Sequence, residues 1–574
     1  MEKKIIRRVV PELQNGFKCL HPVLQRIYLA RNVNSPDELT HELKNLLPYS
    51  SLLNIDKAVA RLTQALKDQQ QIIVIGDFDA DGATSTALTV SALHAFGMEN
   101  VSYLVPNRFA YGYGLTPEIV DLASSRRPDL IITVDNGISS HAGVAHANQL
   151  GIDVIITDHH LQGETVPPAY AIVNPNCKDD PFPSKCLAGV GVAFYLMLAL
   201  RAELKKINWF ERRGLECPNM AKFLDFVALG TIADIVPLDR NNRILVHQGL
   251  RRIRAGQAHP GILALLEVSG RPREKLRATD LGFGIGPRLN AAGRLDDMSL
   301  GVACLLAGNL DAALDIAYRL DDLNKERRVI ESQMQKEAFD AIDGLNLNNG
   351  LPPALCLYQE EWHQGVVGLV ASRVKERTHR PTIVFAKMND GTLKGSARSV
   401  SGLHIRNVLE AIAIKHPGLV TKFGGHAMAA GLSLPLERFN EFKEAFSREV
   451  NERLDEDDLQ PRLVSDGELT SNELTLELAL LMHEGGPWGQ DFPEPLFDGR
   501  FKLINQRVVG QRHLKLILQV PDSNYYLDGI AFHADLEQWP NFHCEYAHLA
   551  YRLDVNEFQG RRKLQLLVEH IRAC

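Results

Sequence analysis

Runs of consecutive apolar residues, separated by polar turns and by stretches of helical spacing, recur along the first half of the chain. Ile-Ile-Val-Ile at 72–75, Leu-Ile-Ile-Thr at 130–133 and Val-Ile-Ile-Thr at 154–157 do not alternate as half-exposed strands do. They are apolar throughout, as strands covered on both faces must be. The pattern predicts strands at Gln71–Gly76, Val101–Val105, Leu130–Val134, Val154–Thr157 and Tyr170–Val173, with helical spacing over Ala83–Phe96. Strands alternating with helices predict a parallel sheet wound by crossover connections. Residues 46–305 therefore read as one α/β domain behind an N-terminal segment, 1–45.

Between Leu310 and Ile342 there is neither Gly nor Pro, and Leu320, Leu323, Ile330, Met334 and Ala341 mark an apolar stripe among charged neighbours. This predicts a connecting helix within 306–350, roughly 50 Å long at the rise of an α-helix. Gly350, Pro352 and Pro353 close it. A second, smaller α/β domain is expected over 351–455, with strands at Ala354–Tyr358 and Thr382–Phe385. Over 456–574 the pattern turns to short alternating runs, Leu514–Val520, Tyr525–Phe532 and Leu564–Val568, which suggest a small β-barrel.

The longest nearly unbroken apolar stretch, Leu187–Leu200, has 14 residues and two glycines, short of the ~20 that a membrane span needs. The first residues alternate charge with apolar pairs and lack the apolar core of a secretory signal. A cytoplasmic chain with no membrane partner is expected. Eight cysteines without a single CxxC argue against a disulfide framework and against a zinc ribbon. With 63 basic against 70 acidic residues and a net charge of −7, the chain is not globally basic. Any polyanion must be held by local basic grooves or by metal ions.

Candidate chemistry lies where the apolar runs end. The first reaches Asp77, the second Asp135, and the third Asp158, His159 and His160. Ligands in open α/β sheets bind beyond the carboxyl ends of the strands, so these side chains should share one crevice. The Asp77, Asp79, Asp81, Gly82 spacing matches the opening of an EF-hand. That reading fails, because the twelfth position is Leu88 where a bidentate Glu is required, and a strand precedes the loop. Carboxylates gathered so closely repel one another unless divalent cations neutralise them. A mixed oxygen and nitrogen donor set suits manganese, magnesium or iron better than calcium. Asp234 ends a further apolar, helix-like run.

Taken in order, GDFDADG (Gly76–Gly82), VDNG (Val134–Gly137), TDHH (Thr157–His160) and ADIVP (Ala233–Pro237) resemble the four motifs of the DHH phosphoesterase superfamily. WHQGVVGLVASR (Trp362–Arg373), LKGSARS (Leu393–Ser399) and FGGHAMAAG (Phe423–Gly431) resemble the DHH-associated second domain. With GPRLNAAGR (Gly286–Arg294) and the terminal barrel, the chain after about residue 46 resembles the bacterial single-strand-specific exonucleases of that superfamily. Some relatives carry a histidine where this chain has Ile75, so one ligand used there is absent.

The resemblance implies a parallel-sheet DHH phosphoesterase domain, a long connecting helix, a DHH-associated domain that binds nucleic acid, and a C-terminal OB-fold barrel that binds single strands. It implies hydrolysis of single-stranded DNA from the 5′ end, in repair and recombination. Asp79, Asp81, Asp135, His159 and Asp234 would bind two divalent cations, Mn2+ or Mg2+, with Asp135 as the bridge and Asp77 as a further ligand. Asp158 would support the histidines, His160 would contact the scissile phosphate, and a water made acidic by the cations would attack. Arg108, Arg288, Asn290, Ser396, Arg398, Gly424, Gly425 and His426 are the expected substrate-binding residues. Guanidinium forks and glycine-rich loops both suit phosphate oxygens. In the barrel, Tyr525, Tyr526, Phe532, Tyr551 and Phe558 lie among Arg512, Lys515, Arg552, Arg561, Arg562 and Lys563, the mixture on which single strands stack; about half of these aromatics are expected in the core. The expected partners are single-stranded DNA, a single-strand-binding protein and a helicase, and the chain is expected to be a monomer. The alternatives are a DHH phosphodiesterase for short oligonucleotides or cyclic dinucleotides, which would need no barrel, and a catalytically inactive DNA-binding scaffold, which should have lost ligands.

Overall fold

The computed structural model describes residues 3–12, 17, 19–107, 111–344, 351–520 and 523–574. The chain divides into two compact units, one of Val10–Asn324 with Leu480–Glu494 and the other of Met1–Val9, Lys325–Ala479 and Pro495–Cys574.

The first unit is built on a five-stranded sheet in the order β3-β2-β4-β5-β6: β2 (Ile72–Gly76), β3 (Val101–Leu104), β4 (Leu130–Val134), β5 (Asp153–Thr157) and β6 (Ala171–Val173). Every pairing is parallel. Each residue of β2 and β4 is buried, which is why these strands read as unbroken apolar runs. Full burial contributes about 1.5–3 kcal/mol for each such aliphatic side chain. The chain leaves β2 for β3 on one side and returns to β4 on the other. The topological switch point, where doubly wound sheets bind their ligands, thus lies between the ends of β2 and β4. The distant stretch Leu480–Glu494 completes this unit: the Tyr28 hydroxyl donates to Gly485 O at 2.8 Å, and Trp488 stacks on Tyr28 and Phe492.

The second unit contains a five-stranded sheet in the order β10-β11-β9-β8-β7: β7 (Leu355–Tyr358), β8 (Thr382–Lys387), β9 (Thr392–Arg398), β10 (Lys422–Gly425) and β11 (Ala429–Pro435). Only β7 and β8 run parallel. β9 alternates strictly: Leu393, Gly395 and Ala397 are buried, while Lys394, Ser396 and Arg398 lie on the opposite, half-exposed face. The same unit holds a closed barrel, β13 (Phe497–Val509), β14 (His513–Gln519), β15 (Tyr526–Ala531), β17 (Arg561–Ala573) and β16 (Tyr546–Phe558), the five-stranded closure of an OB-fold. β1 (Lys4–Arg7) pairs in parallel with β12 (Arg462–Ser465). Arg7 and His548 both reach the buried Asp498 at the start of β13, at 2.8 and 3.0 Å.

The connecting helix runs from Leu310 to Asp343, 34 residues or about 51 Å. Its buried stripe differs from the expected one. Ala313, Ala317, Leu320, Asn324, Arg327, Glu331, Met334, Ala338 and Ile342 are buried, whereas Ala341 is exposed and Leu323 and Ile330 are half-covered. Polar residues occupy the middle because they pair there. Arg327 binds Glu331, which also holds Arg373 at 3.1 Å. Among the described residues no helix is long and apolar enough to cross a membrane, and all eight cysteines are free.

Candidate metal centre

The loop after β2 is shaped by its own acids. Asp79 caps the helix Ala80–Ala95, accepting from the backbone N–H groups of Asp81 and Gly82 at 2.9 and 3.0 Å. Asp77 accepts from Phe78 N at 2.8 Å. Asp81, in the first helical turn, accepts from the N–H groups of Gly189 and Val190 at 2.6 and 3.0 Å, at the start of the helix Gly189–Lys206. The positive end of that helix faces the carboxylates. Its approach needs Gly189, since a Cβ there would stand 2.6 Å from the Asp135 carboxylate.

Asp135 follows β4 with φ 62, and its side chain is buried. His159 Nε2 lies 3.1 Å from Asp135 Oδ1 and 3.5 Å from Asp234 Oδ2. Asp234, which sequence placed at a helix end, caps the helix Leu224–Ala233 and comes into the cluster from there. Three overlapping ligand sets result: Asp77, Asp79 and Asp135; Asp81, His159 and Asp234; and Asp135, His159 and His160, each with donor atoms within 4.8 Å of one another.

Asp158 has a different task from the other acids. It is fully buried and accepts from the N–H groups of Ile138, His159 and His160, and His160 Nδ1 sits 2.7 Å from its Oδ1. It orients His160 rather than the ring of His159. Tyr113, which the sequence did not single out, stands edge-on to His160 with Oη 3.3 Å from Nδ1 and packs edge-on against Phe78. Its only sequence signal is an aromatic residue between glycines, Ala-Tyr-Gly-Tyr-Gly at 110–114.

Among the described residues, acids outnumber positive charges in the site. Burial, reinforced by Asp79, pushes the Asp81 carboxyl up to about 7 against the pull of its two backbone N–H donors. Burial together with Asp81 and Asp79 raises Asp135 and Asp234 well above the carboxylate range. Although burial opposes both charges, the Asp158–His160 pair holds its acid below the usual range and raises His160 to about 9. Asp135 Oδ1 is buried and, beyond its 3.1 Å contact with His159 Nε2, accepts no hydrogen bond from the described residues. A divalent cation supplies the missing charge and the missing partner together, and the carboxylate and imidazole donors fit manganese or magnesium.

The predicted substrate residues divide. Arg108 lies outside the described residues. Arg288 is engaged within the first unit: its guanidinium pairs with Asp321 at 2.8 Å and donates to Gly284 O at 2.5 Å. Asn290 acts on the protein itself, its Oδ1 accepting from Ala80 N at 2.8 Å. Its helix, Gly286–Leu295, presses so closely on the acid loop that a Cβ on Gly293 would meet Phe78 O at 1.8 Å.

In the second unit, Gly424 pairs with Gly431 and Gly431 with Ser396, so one row across three strands carries two glycines and a hydroxyl. Arg398 shares that face. It donates to Ser372 Oγ, Ser396 Oγ and Ala397 O, and no carboxylate among the described residues pairs with it. Burial lowers its pKa. A Cβ on Gly368, at the start of the helix Val367–Thr378, would stand 2.9 Å from both Arg398 Nη2 and Ser396 Oγ. This guanidinium therefore has only neutral hydrogen-bond partners among the described residues and lies beside a helix N-terminus, surroundings that suit an anion. Gly425 has φ 136, and His426 N donates to Ala429 O, closing the hairpin that displays the two glycines. In the barrel Tyr551 is core, whereas Tyr525, Tyr526, Phe532 and Phe558 are exposed, so fewer of these aromatics are structural than sequence suggested.

Residues 71–231 match the DHH family, N-terminal domain, residues 352–452 the DHHA1 domain, and residues 465–570 the RecJ OB domain. The chain is similar to the single-stranded-DNA-specific exonuclease RecJ of Salmonella typhimurium, 56% identical over 571 residues and 99% of each chain. It is also similar to the protein of that name from Escherichia coli, 56% identical over 98% of each. Among solved structures it resembles RecJ from Thermus thermophilus in complex with Mn2+, with a TM-score of 0.81 and 29% identity, covering 100% of this chain and 79% of that one.

Proposed function

This chain belongs to the RecJ family of DHH proteins, and from that premise we propose that it is a divalent-cation-dependent exonuclease that hydrolyses single-stranded DNA from the 5′ end, in repair and recombination. The observation that carries the reading is the complete acid and imidazole cluster at the switch point of the sheet. Asp77, Asp79, Asp81, Asp135, His159 and Asp234 would hold two cations, Mn2+ or Mg2+. Bound there, the cations supply charge for the phosphoryl transition state and lower the pKa of the attacking water. The chain's own residues do the rest. Asp158 aims the His160 ring and favours its protonated form, so that it would donate to a phosphate oxygen. Asn290 and Gly293 hold the Asp77–Asp81 loop in place. Arg398 and Ser396, over the row of Gly424 and Gly431, would take the terminal 5′-phosphate, with His426 at the end of the same hairpin.

The intact ligand set disfavours an inactive scaffold. The closed barrel, with its exposed aromatics, disfavours an enzyme for dinucleotides. A single-strand enzyme acting on duplex ends needs a strand separator and must meet coated strands, which supports a helicase and a single-strand-binding protein as partners of a monomer. Eight free thiols suit a reducing cytoplasm. The test is digestion of 5′- and 3′-labelled single strands with manganese or magnesium. The 5′ label should leave first and as mononucleotide; release of the 3′ label first, or no cleavage, overturns the reading.

A further inference from the structure

Two large apolar side chains stand in solvent, one next in the chain to Asp234 and one on a turn packed against the residues just before it, each on an unusual backbone. Ile235, next in the chain to Asp234, is 68% exposed with φ 61. A β-branched residue in the left-handed region is a true outlier, and such strain gathers at functional sites. Phe283 is 75% exposed at the centre of a π-helical turn, Leu281–Ile285, in which Leu281, Gly284 and Ile285 are buried. Turns of this kind are rare and recur where function needs a displaced side chain. This one lies along the last turn of the helix Leu224–Ala233. A Cβ on Gly282 would stand 3.3 Å from Ile232 Cγ2, and one on Gly286 3.3 Å from Ala233 Cβ. The helical turn that presents Asp234 is therefore the turn on which the π-helix rests. Folding of the described residues supplies no reason for either side chain: none of them covers either one, and asparagine or glycine at 235 would relax the backbone.

Resting on the exonuclease reading, we propose that Ile235 and Phe283 form an apolar platform that receives the nucleobase of the nucleotide being cleaved. The occupant follows from continuity with the site, because Asp234 Oδ2 is 3.5 Å from His159 Nε2. Neither side chain carries a hydrogen-bonding group, so the platform holds any base by its face without reading its identity. This suits an enzyme that must process every sequence.

The test compares 5′-phosphorylated single strands with the same strands carrying one abasic nucleotide at the first, second or third position, in manganese. Stacking of one base on an aromatic side chain predicts that the wild type loses ~5- to 150-fold in kcat/KM when the abasic nucleotide occupies the platform. Phe283→Ala and Ile235→Asn should lose a comparable factor on the normal strand and almost nothing further on the abasic one. Phe283→Tyr should restore the difference. The melting temperature of Ile235→Asn should be unchanged or higher, which a structural role for the side chain would not allow. Equal losses on both strands, or no loss on the normal strand, overturn the platform while leaving the exonuclease reading in place. Failure of the wild type to cleave any single strand overturns the exonuclease reading and the platform with it.

Discussion

Replacing Arg398 by methionine separates a functional charge from a structural one. Burial lowers the pKa of the guanidinium, which is bonded to two hydroxyls and a carbonyl and has no carboxylate partner among the described residues. A half-covered charge held only by neutral partners contributes little to stability, and methionine keeps most of the apolar stem. The melting temperature should therefore hold or rise. Function should change in the opposite sense. One charge-assisted hydrogen bond to a phosphate contributes about 1.5–3 kcal/mol, which is ~10- to 150-fold in kcat/KM. The wild type should prefer 5′-phosphorylated over 5′-hydroxyl strands by that factor, and Arg398→Met should treat the two ends alike. Arg398→Lys should recover only part of the preference, because an ammonium cannot span Ser372 and Ser396 as the planar fork does. The assay is the initial rate on paired oligonucleotides differing only at the 5′ end, with thermal unfolding of each variant alongside. An intact phosphate preference in Arg398→Met, or a fall of several degrees in its melting temperature, would refute the assignment.

Three further outcomes follow from the geometry. Asp135→Asn and His159→Ala should abolish hydrolysis, and Asp135→Asn should melt no lower than the wild type without metal, because burial and the neighbouring acids already hold that carboxyl towards its neutral form and the amide keeps it neutral; manganese should raise the melting temperature of the wild type but not of this variant, as calorimetry can check. Asn290→Ala should cost about 1 kcal/mol through the lost bond to Ala80 N and should weaken manganese binding in titration, whereas a direct role on DNA would leave metal affinity unchanged. Asp498, buried, is held below the carboxylate range by Arg7, Ser465 and His548 against the opposing effect of burial. Its stabilisation is fully present above the ordinary aspartate pKa of ~3.9 and is lost as pH falls through the lower folded value, so the melting-temperature gap between wild type and Asp498→Asn should close as the pH is taken below about 4; a gap that stays constant would mean that the charge is not what holds β1 to the barrel.

The sequence by itself determined the strands of the first sheet and the end of the sheet at which chemistry occurs. Unbroken apolar runs such as 72–75 and 130–133 have one stable location, between two covered faces, and acids directly after parallel strands can only emerge at the carboxyl edge. The long helix was equally legible, because the absence of Gly and Pro over its length is a local property. Local spacing could not say which face of that helix would be covered, and the stripe ends on Ile342 rather than Ala341. Nor could it divide labour among chemically identical groups. Asp158 holds His160 while Asp135 meets His159; Arg288 is matched by Asp321 while Arg398 meets no carboxylate among the described residues; Asn290 holds a loop from 210 residues away. Each of these outcomes depends on partners brought up by packing of elements distant in the chain. Repeating patterns encode the local geometry of an element, but the charge state and role of a side chain are set by whatever the tertiary structure places within a few ångströms of it.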